Sequence, residues 1–306
     1  MKSKLLKIGF LVLNLSFVFN TVVVGQKNKH VPKDTLHDYC AICTDHEHKI
    51  ILPPYTKSFK KELPFILTSA AVFGAGFLVQ GLDYASPYSE EEIMTNPPDI
   101  EDIIPFDRGS ALNWSPKAAD ISDYVLFSTA ILPAAFLSEH HTGRDIKTLL
   151  IMYAEVFTLN YGLTEIAKNL TQRPRPYVYN PEIPIETRTS ADSRKSFFSG
   201  HTSQTAAACF YFAKVIHDYH PTLQKGVRIG MWAFAVSVPA ANGYLRVKAG
   251  KHFPTDVITG YIVGAATGFF IPELHRTRQS KKVKEQLKVG FLPYRDGYTL
   301  NLAYGF

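Results

Sequence analysis

The sequence predicts an all-α fold, a bundle of six helices with a small β-hairpin at its C-terminal end. Two observations predict it. Six apolar runs of helical length recur between residues 65 and 271, and few strand-like segments separate them. Past the last run, Asp296-Gly297 is a hairpin turn signal, and Tyr298, Leu300, Leu302, Tyr304 and Phe306 alternate with smaller or more polar residues behind it. At 46% hydrophobic and 13% aromatic residues, the 306-residue chain can bury a substantial core.

Residues 1–25 are a targeting segment. Lys2, Lys4 and Lys7 precede an apolar run from Ile8 to Val24, and Val23-Val24-Gly25 offers a small-residue cleavage neighbourhood. The run reads as a signal peptide, or, being long for one, as an N-terminal anchor; either form directs the chain to the cell envelope. Residues 26–61 form a polar leader with Pro32, Pro53 and Pro54. Cys40 and Cys43 lie there among His37, His46 and His48, but the spacing completes no zinc pattern. A local disulfide, or no bond, is the expectation.

Residues 62–274 carry the helical domain. Its runs are Phe65–Leu82, Tyr124–Leu137, Thr148–Leu163, Thr205–Ile216, Ile229–Leu245 and Val257–Ile271. Between the first two lies an acidic, Pro-containing stretch, Asp83–Asp120, too long for a bare loop and expected to hold short helices capping one end of the bundle. Glu155, Asn160 and Glu165 interrupt the third run, and Lys214 and His217 shorten the fourth. These two are therefore weaker than a standard spanning helix of ~20 residues. Small residues in AAVFGAGF and GYIVGAATGFF permit close helix–helix approach in lipid or in a tight soluble bundle. Cys209, in an apolar run, reads as a packed small residue. Residues 275–306 are a basic linker followed by the hairpin.

With 33 Lys+Arg against 27 Asp+Glu, the net charge is +6. That balance suits an anionic substrate or an anionic membrane surface. No stripe of cations interleaved with aromatics points to nucleic acid, and no protein partner is predicted.

Three segments carry chemistry: KNLTQRPRP (168–176), Ser199-Gly200-His201, and RVKAGKHFPTD (246–256). Pro174 and Pro176 end the third helix, which puts Lys168 in its last turn and Arg175 on the loop beyond. A guanidinium can offer two N–H groups to two phosphate oxygens while an ammonium acts as a point charge. Taken alone, two cations there also fit simple complementation of a helix dipole. Ser199 and Gly200 stand at a helix start, where unpaired N–H groups attract an anion, and Ser199 or Thr202 could equally be an ordinary N-cap. In the third segment Pro254 suits the first position of a helix, and Asp256 would accept a hydrogen bond from one nitrogen of His252, leaving the other free to attack. A His–Asp pair at a helix start also occurs as plain capping.

The order Lys-x6-Arg-Pro, Ser-Gly-His, Arg-x5-His-x3-Asp resembles the type 2 phosphatidic acid phosphatase superfamily, which includes lipid phosphate phosphatases, class A bacterial acid phosphatases and vanadium haloperoxidases. The likeness covers about residues 120–272. Phe198 and Leu245 stand where the family usually has Pro and Ser. The resemblance implies a six-helix bundle of that type and a metal-independent, cofactor-free phosphatase. His252 would be the nucleophile that forms a phosphohistidine, oriented by Asp256. His201 would protonate the leaving oxygen and then activate water. Lys168, Arg175, Ser199, Gly200 and Arg246 would hold the phosphoryl oxygens. The substrate would be a lipid-linked phosphate monoester or pyrophosphate, or, in a periplasmic form, a small soluble phosphomonoester; vanadate-dependent haloperoxidation and a decayed site are the remaining readings. Export of the N-terminus together with six full spans would put the site inside, whereas lysines in 27–61 and the basic stretch 275–288 favour the inner side for those regions and the acidic stretch 83–120 the outer. Both cues cannot hold with six full spans, so either one run does not cross or the mature protein is a periplasmic or peripheral helical domain; a membrane form with its site towards the periplasm is the expectation.

Overall fold

The computed structural model describes residues 53–55, 59–82, 86–276, 287–294 and 297–304. The targeting segment, most of the leader with Cys40 and Cys43, the basic linker and the hairpin turn at Asp296 lie outside the described residues. The described part is mainly helical. Its long helices are α1 (Phe59–Gly81), α2 (Pro116–Ala130), α3 (Ile146–Thr171), α4 (Gly200–Tyr219), α5 (Lys225–Lys248) and α6 (Pro254–Leu274). Near the C-terminus, Leu287–Tyr294 and Gly297–Tyr304 run antiparallel, with Leu287 opposite Tyr304.

Local chemistry sets the helix ends. Pro116 and Pro254 occupy the first turns of α2 and α6, where a missing N–H costs nothing. Ser115 caps α2 by accepting from the Ala118 N–H, and Ser199 caps α4 by accepting from that of Thr202. α3 stops where Gln172 turns left-handed, at φ 46°, two residues before Pro174. Between α1 and α2 the acidic stretch holds the short helices Glu90–Thr95 and Pro105–Arg108 with a 3-10 turn, Ile100–Asp102. The first of these opens on a reciprocal Ser89–Glu92 capping box.

α4 runs through the middle of the bundle and is buried along most of its length. α6 lies against it through Gly260, Gly264 and Gly268, each of which puts its missing side chain against a backbone carbonyl of α4 (Ser199, Ser203 and Ala207 in turn). A methyl group at Gly260 would sit 2.5 Å from the Ser199 oxygen. α1 meets α3 in the same way, where a methyl on Gly76 would lie 2.8 Å from the Gly162 backbone. Small residues thus bring helix backbones together, as the two glycine-bearing stretches predict.

α3 and α4 are longer than their apolar runs suggest. The polar residues that break the pattern of α3 point inward and find partners. Glu155 meets His275 at 2.8 Å, Asn160 accepts from the Ser203 hydroxyl at 2.7 Å, and Glu165 pairs with Lys168 at 2.9 Å. On α4, Lys214 is held by Asp218 and Glu273. A hydropathy pattern scores such residues as interruptions; packing makes them interior polar contacts. Cys209 is a buried free thiol, as read from the sequence.

Three of these helices are long and apolar enough to cross a membrane: Glu62–Gly81, Pro116–Ser138 (α2 with the 3-10 turns that follow it) and Pro254–Leu274. Large apolar side chains such as Phe77, Ile262 and Phe270 stand exposed on their outer faces. We read the chain as a membrane protein on this ground.

Candidate active site

The C-terminal ends of α3 and α5 and the N-terminal ends of α4 and α6 meet at one end of the bundle, and the first half of α2 joins them. The acidic stretch folds over the same end. Asn113 there donates to the Val247 carbonyl, and Asp107 accepts from the backbone N–H of Thr255. Gly250, at φ 68°, leaves no room for a side chain, because a methyl would strike the Asn113 carbonyl. The three sequence segments are therefore brought together, and each predicted residue has a definite place.

Lys168 stands in the last turn of α3 with its Nζ 2.9 Å from Glu165 Oε1. A methyl on Gly200 would lie 3.6 Å from that Nζ, so the glycine at the start of α4 keeps the ammonium and the helix N-terminus together. Arg175 is buried; its Nε donates to the Asp192 carbonyl at 2.9 Å, and its Nη2 lies 3.4 Å from the Asp192 carboxylate. Arg246, in the last turn of α5, donates through Nη1 to Ser122 Oγ at 3.0 Å and lies 3.5 Å from Asp123, while its buried Nε finds no partner among the described residues. Each cation thus keeps one carboxylate partner and has donor capacity to spare. Burial alone would raise the Asp192 carboxyl, but Arg175 and Lys168 hold it below its ordinary range. Ser199 spends its oxygen on the cap: it accepts from the Thr202 N–H at 3.4 Å and lies 3.0 Å from the Thr202 hydroxyl.

The two histidines are held differently from each other. His252 is 1% exposed, and its Nδ1 lies 2.7 Å from the backbone carbonyl of Ser196. A carbonyl can only accept, so Nδ1 carries the hydrogen and Nε2 the lone pair. Burial, with Arg175, Arg246 and Lys168 close by, pushes the imidazole far below its usual pKa, so it is neutral at pH 7. His201, in the first turn of α4, faces Asp123 of α2, with Nε2 2.8 Å from Oδ1.

One expectation is corrected. Asp256 does not accept from His252; its Oδ2 is 3.8 Å from Nδ1. That oxygen instead accepts from the Ser196 hydroxyl at 2.6 Å and the Phe253 N–H at 2.9 Å, and Oδ1 pairs with Arg173 at 2.6 Å. The capping geometry of the helix start takes the carboxylate, and the carbonyl of Ser196 takes the imidazole. Asp256 therefore reaches His252 only through Ser196.

Three functional residues are absent from the sequence reading. Asp123 lies 78 positions from His201 on another helix, with no local pattern to mark it. Ser196 acts through its main chain, which residue type does not show. Arg173 sits inside the first segment but serves Asp107 and Asp256 rather than the site. Replacing Asp123 by Asn should lower kcat roughly a hundredfold by releasing the ring of His201, within the range for a positioned acid–base group. The thermal midpoint should stay put, since the Asp123 side chain is 48% exposed. Kinetics and a melt on one preparation check both halves, and an unaltered kcat would remove Asp123 from the site.

The arrangement is a cradle of charge and donors whose chemistry suits a tetrahedral anion. Three cations from three elements converge beside a helix N-terminus, next to one neutral imidazole and a second imidazole with its own carboxylate. The family model described as PAP2 superfamily matches residues 149–280. An undecaprenyl-diphosphatase of Sulfolobus acidocaldarius is 26% identical over 133 residues, covering 43% of this chain and 58% of that protein. Phospholipid phosphatase 2 of Bos taurus is 28% identical over 189 residues, covering 51% of this chain and 63% of that one. The match thus spans less than two thirds of either relative's length. A solved structure of a transmembrane PAP2-type phosphatidylglycerolphosphate phosphatase from Bacillus subtilis aligns over 74% of this chain and 99% of that one, at 20% identity and a TM-score of 0.42. The matched segment contains Lys168, Arg175, Ser199, Gly200, His201, Arg246, His252 and Asp256, every residue that the sequence picks out. Over residues 149–280, then, this chain is similar to the PAP2 superfamily.

Proposed function

We propose that residues 62–274 form the six-helix bundle of a membrane phosphatase that hydrolyses a lipid-linked phosphate monoester or diphosphate without a metal, through a phosphohistidine. One observation carries the reading: the neutral imidazole of His252, fixed by the Ser196 carbonyl, stands among Lys168, Arg175 and Arg246. A buried neutral imidazole among three cations is poorly explained as packing and well explained as a nucleophile for an anionic phosphorus centre.

In the first step the Nε2 lone pair of His252 attacks phosphorus. The bond to the leaving oxygen breaks, and His201 passes that oxygen a proton from the ring nitrogen not turned to Asp123. His201 must enter the step as an imidazolium, supported by Asp123 and the incoming phosphate against the burial that otherwise lowers its pKa to about 4. In the second step the same nitrogen takes a proton from water, whose oxygen attacks phosphorus and breaks the P–N bond. Phosphate leaves, and His252 is neutral again. Lys168, Arg175 and Arg246, with the N–H groups at the start of α4 and the Ser199 hydroxyl, hold the oxygens as charge develops.

The lipid part of the reading draws on the apolar helices and on the names of the two relatives, an undecaprenyl-diphosphatase and a phospholipid phosphatase. The site lies at the end covered by the acidic stretch, opposite the end of α6 that leads into the basic linker. By the preference of Lys and Arg for the inner side, the site faces outward, to the periplasm in a cell with two membranes. Phosphate release is the test, with EDTA present, from a phospholipid monophosphate in detergent and from a soluble, membrane-impermeant ester given to intact and lysed cells. Selective release from the lipid supports the reading. Equal turnover of both substrates favours a soluble-ester phosphatase, and impermeant-ester turnover confined to lysed cells reverses the orientation. Silence with both substrates would bring vanadate-dependent halide oxidation forward as the activity to assay.

A further inference from the structure

We infer that Lys251, with the rings of Trp114 and Tyr177, forms a subsite for a second phosphate joined to the transferred one, so that the site is built for a diphosphate ester. Lys251 belongs to none of the roles above, yet its main chain is tied to both phosphate-binding arginines. Its N–H donates to the Arg246 carbonyl at 3.1 Å, and its own carbonyl accepts from Arg175 Nη1 at 3.4 Å. The side chain therefore starts at the rim of the cradle. Its Nζ lies 4.8 Å from the centre of the Tyr177 ring and 5.4 Å from that of Trp114.

Those rings are fixed. They meet edge to face at 6.2 Å, the Tyr177 hydroxyl is 2.8 Å from Ser190 Oγ, and the Tyr177 N–H donates to the Gly250 carbonyl. Cation–π contact places an ammonium but leaves its three N–H donors unused. Among the described residues, no carboxylate lies within ion-pair distance of Lys251 Nζ and no acceptor takes a hydrogen bond from it. Each of the other cations of the cradle has a carboxylate counter-ion, at Glu165, Asp192 or Asp123. Lys251 is thus the cradle's one cation without a fixed partner among the described residues. Burial and the two arginines pull it down to about 8, a strain on the ammonium that an incoming anion would relieve.

Position then selects the anion. Its main chain joins Arg246, which itself lies 3.5 Å from Asp123, the carboxylate against His201. Lys251 therefore borders both the arginines that hold the transferred phosphoryl and the histidine that serves the leaving oxygen. A monoester would present an alkyl chain there; a diphosphate would present a second set of anionic oxygens, matched to an ammonium.

The proposal rests on the phosphatase reading for its biological sense, and a binding experiment separates the two. Full-length protein in detergent at pH 7 is titrated calorimetrically with methylenediphosphonate and with methylphosphonate, neither of which is hydrolysed. The wild type should bind the diphosphonate about tenfold more tightly, the scale of one charge-assisted contact. Lys251→Met keeps the stem over the rings and should lose about that factor for the diphosphonate, with little change for the monophosphonate; Lys251→Arg should retain it. Equal losses for both ligands would mean that Lys251 serves the transferred phosphoryl, and no loss would mean that it serves neither; each overturns the subsite. If the Met variant does not fold, the wild-type ratio decides alone, because a diphosphonate bound no better than the monophosphonate overturns the proposal. The expected binding in a protein that releases no phosphate from any ester would sink the phosphatase reading and leave the subsite standing.

Discussion

Replacing His252 by Gln should abolish turnover, lowering kcat by at least about a thousandfold, because the group removed makes the bond to phosphorus itself. Gln keeps a side-chain N–H donor, one bond further out than the Nδ1 that meets the Ser196 carbonyl at 2.7 Å, so a small side-chain shift lets it replace that hydrogen bond. The loss then reports chemistry rather than collapse, which an unchanged melting profile would show. A covalent step leaves a further trace. Rapid acid-free quenching of wild type with a 32P-labelled substrate should capture a phosphoramidate, stable to alkali and labile to acid, and His252→Gln should show none. His201→Ala should behave differently. Without the base for the second step it should still label with an activated leaving group, and the label should persist. Labelling of His252→Gln equal to wild type, or turnover near normal, would sink the nucleophile assignment and with it the phosphohistidine route.

The three segments were legible because each carries residue types whose chemistry is local: a proline that ends a helix, a serine that caps one, cations spaced around one turn. Pro174, Ser199 and Pro254 do at the helix ends what their types predict. The convergence of the segments was legible only as a resemblance, since spacing along the chain says nothing of distances across it. What escaped was of two kinds. Asp123 and Ser122 come from a helix with no motif, and only the packing of α2 beside α4 and α5 brings them to His201 and Arg246. Ser196 orients His252 by its carbonyl, an atom every residue has. Asp256 shows the matching error. Its spacing from His252 was right for a hydrogen bond, but four residues at a helix start suit a cap equally well, and the Phe253 N–H, the Ser196 hydroxyl and Arg173 were closer claimants. The lengths of α3 and α4 were under-read for a related reason. Glu155, Asn160 and Lys214 look like breaks in an apolar pattern until their partners on other helices are known.

Arg173→Met should be strongly destabilising. Its guanidinium bridges two carboxylates with no solvent exposure, Asp107 at 2.7 Å and Asp256 at 2.6 Å, and donates to Thr255 Oγ1 at 2.8 Å while stacking 4.4 Å from the Phe253 ring. Asp107 lies in the acidic stretch, Arg173 after α3 and Asp256 at the start of α6, so one side chain locks the cap, the first segment and the third. Met preserves most of the apolar stem but leaves two buried carboxylates facing each other without a counter-charge. Removing one partner of a buried pair costs about 3–5 kcal/mol, which for a domain of this size lowers the melting midpoint by roughly 10 °C. Activity should fall with it, because Asp256 would no longer be fixed beneath Ser196, nor Ser196 beneath His252. A second substitution separates charge from packing. Asp107→Asn added to Arg173→Met removes one of the two stranded charges and should recover part of the lost midpoint, although it deletes a native contact. If the penalty came instead from the missing guanidinium stem against Phe253, the double variant would melt at or below the single one. A single variant that melts with the wild type would show that the latch contributes nothing, and the link from Arg173 through Asp256 and Ser196 to the nucleophile would have to be given up.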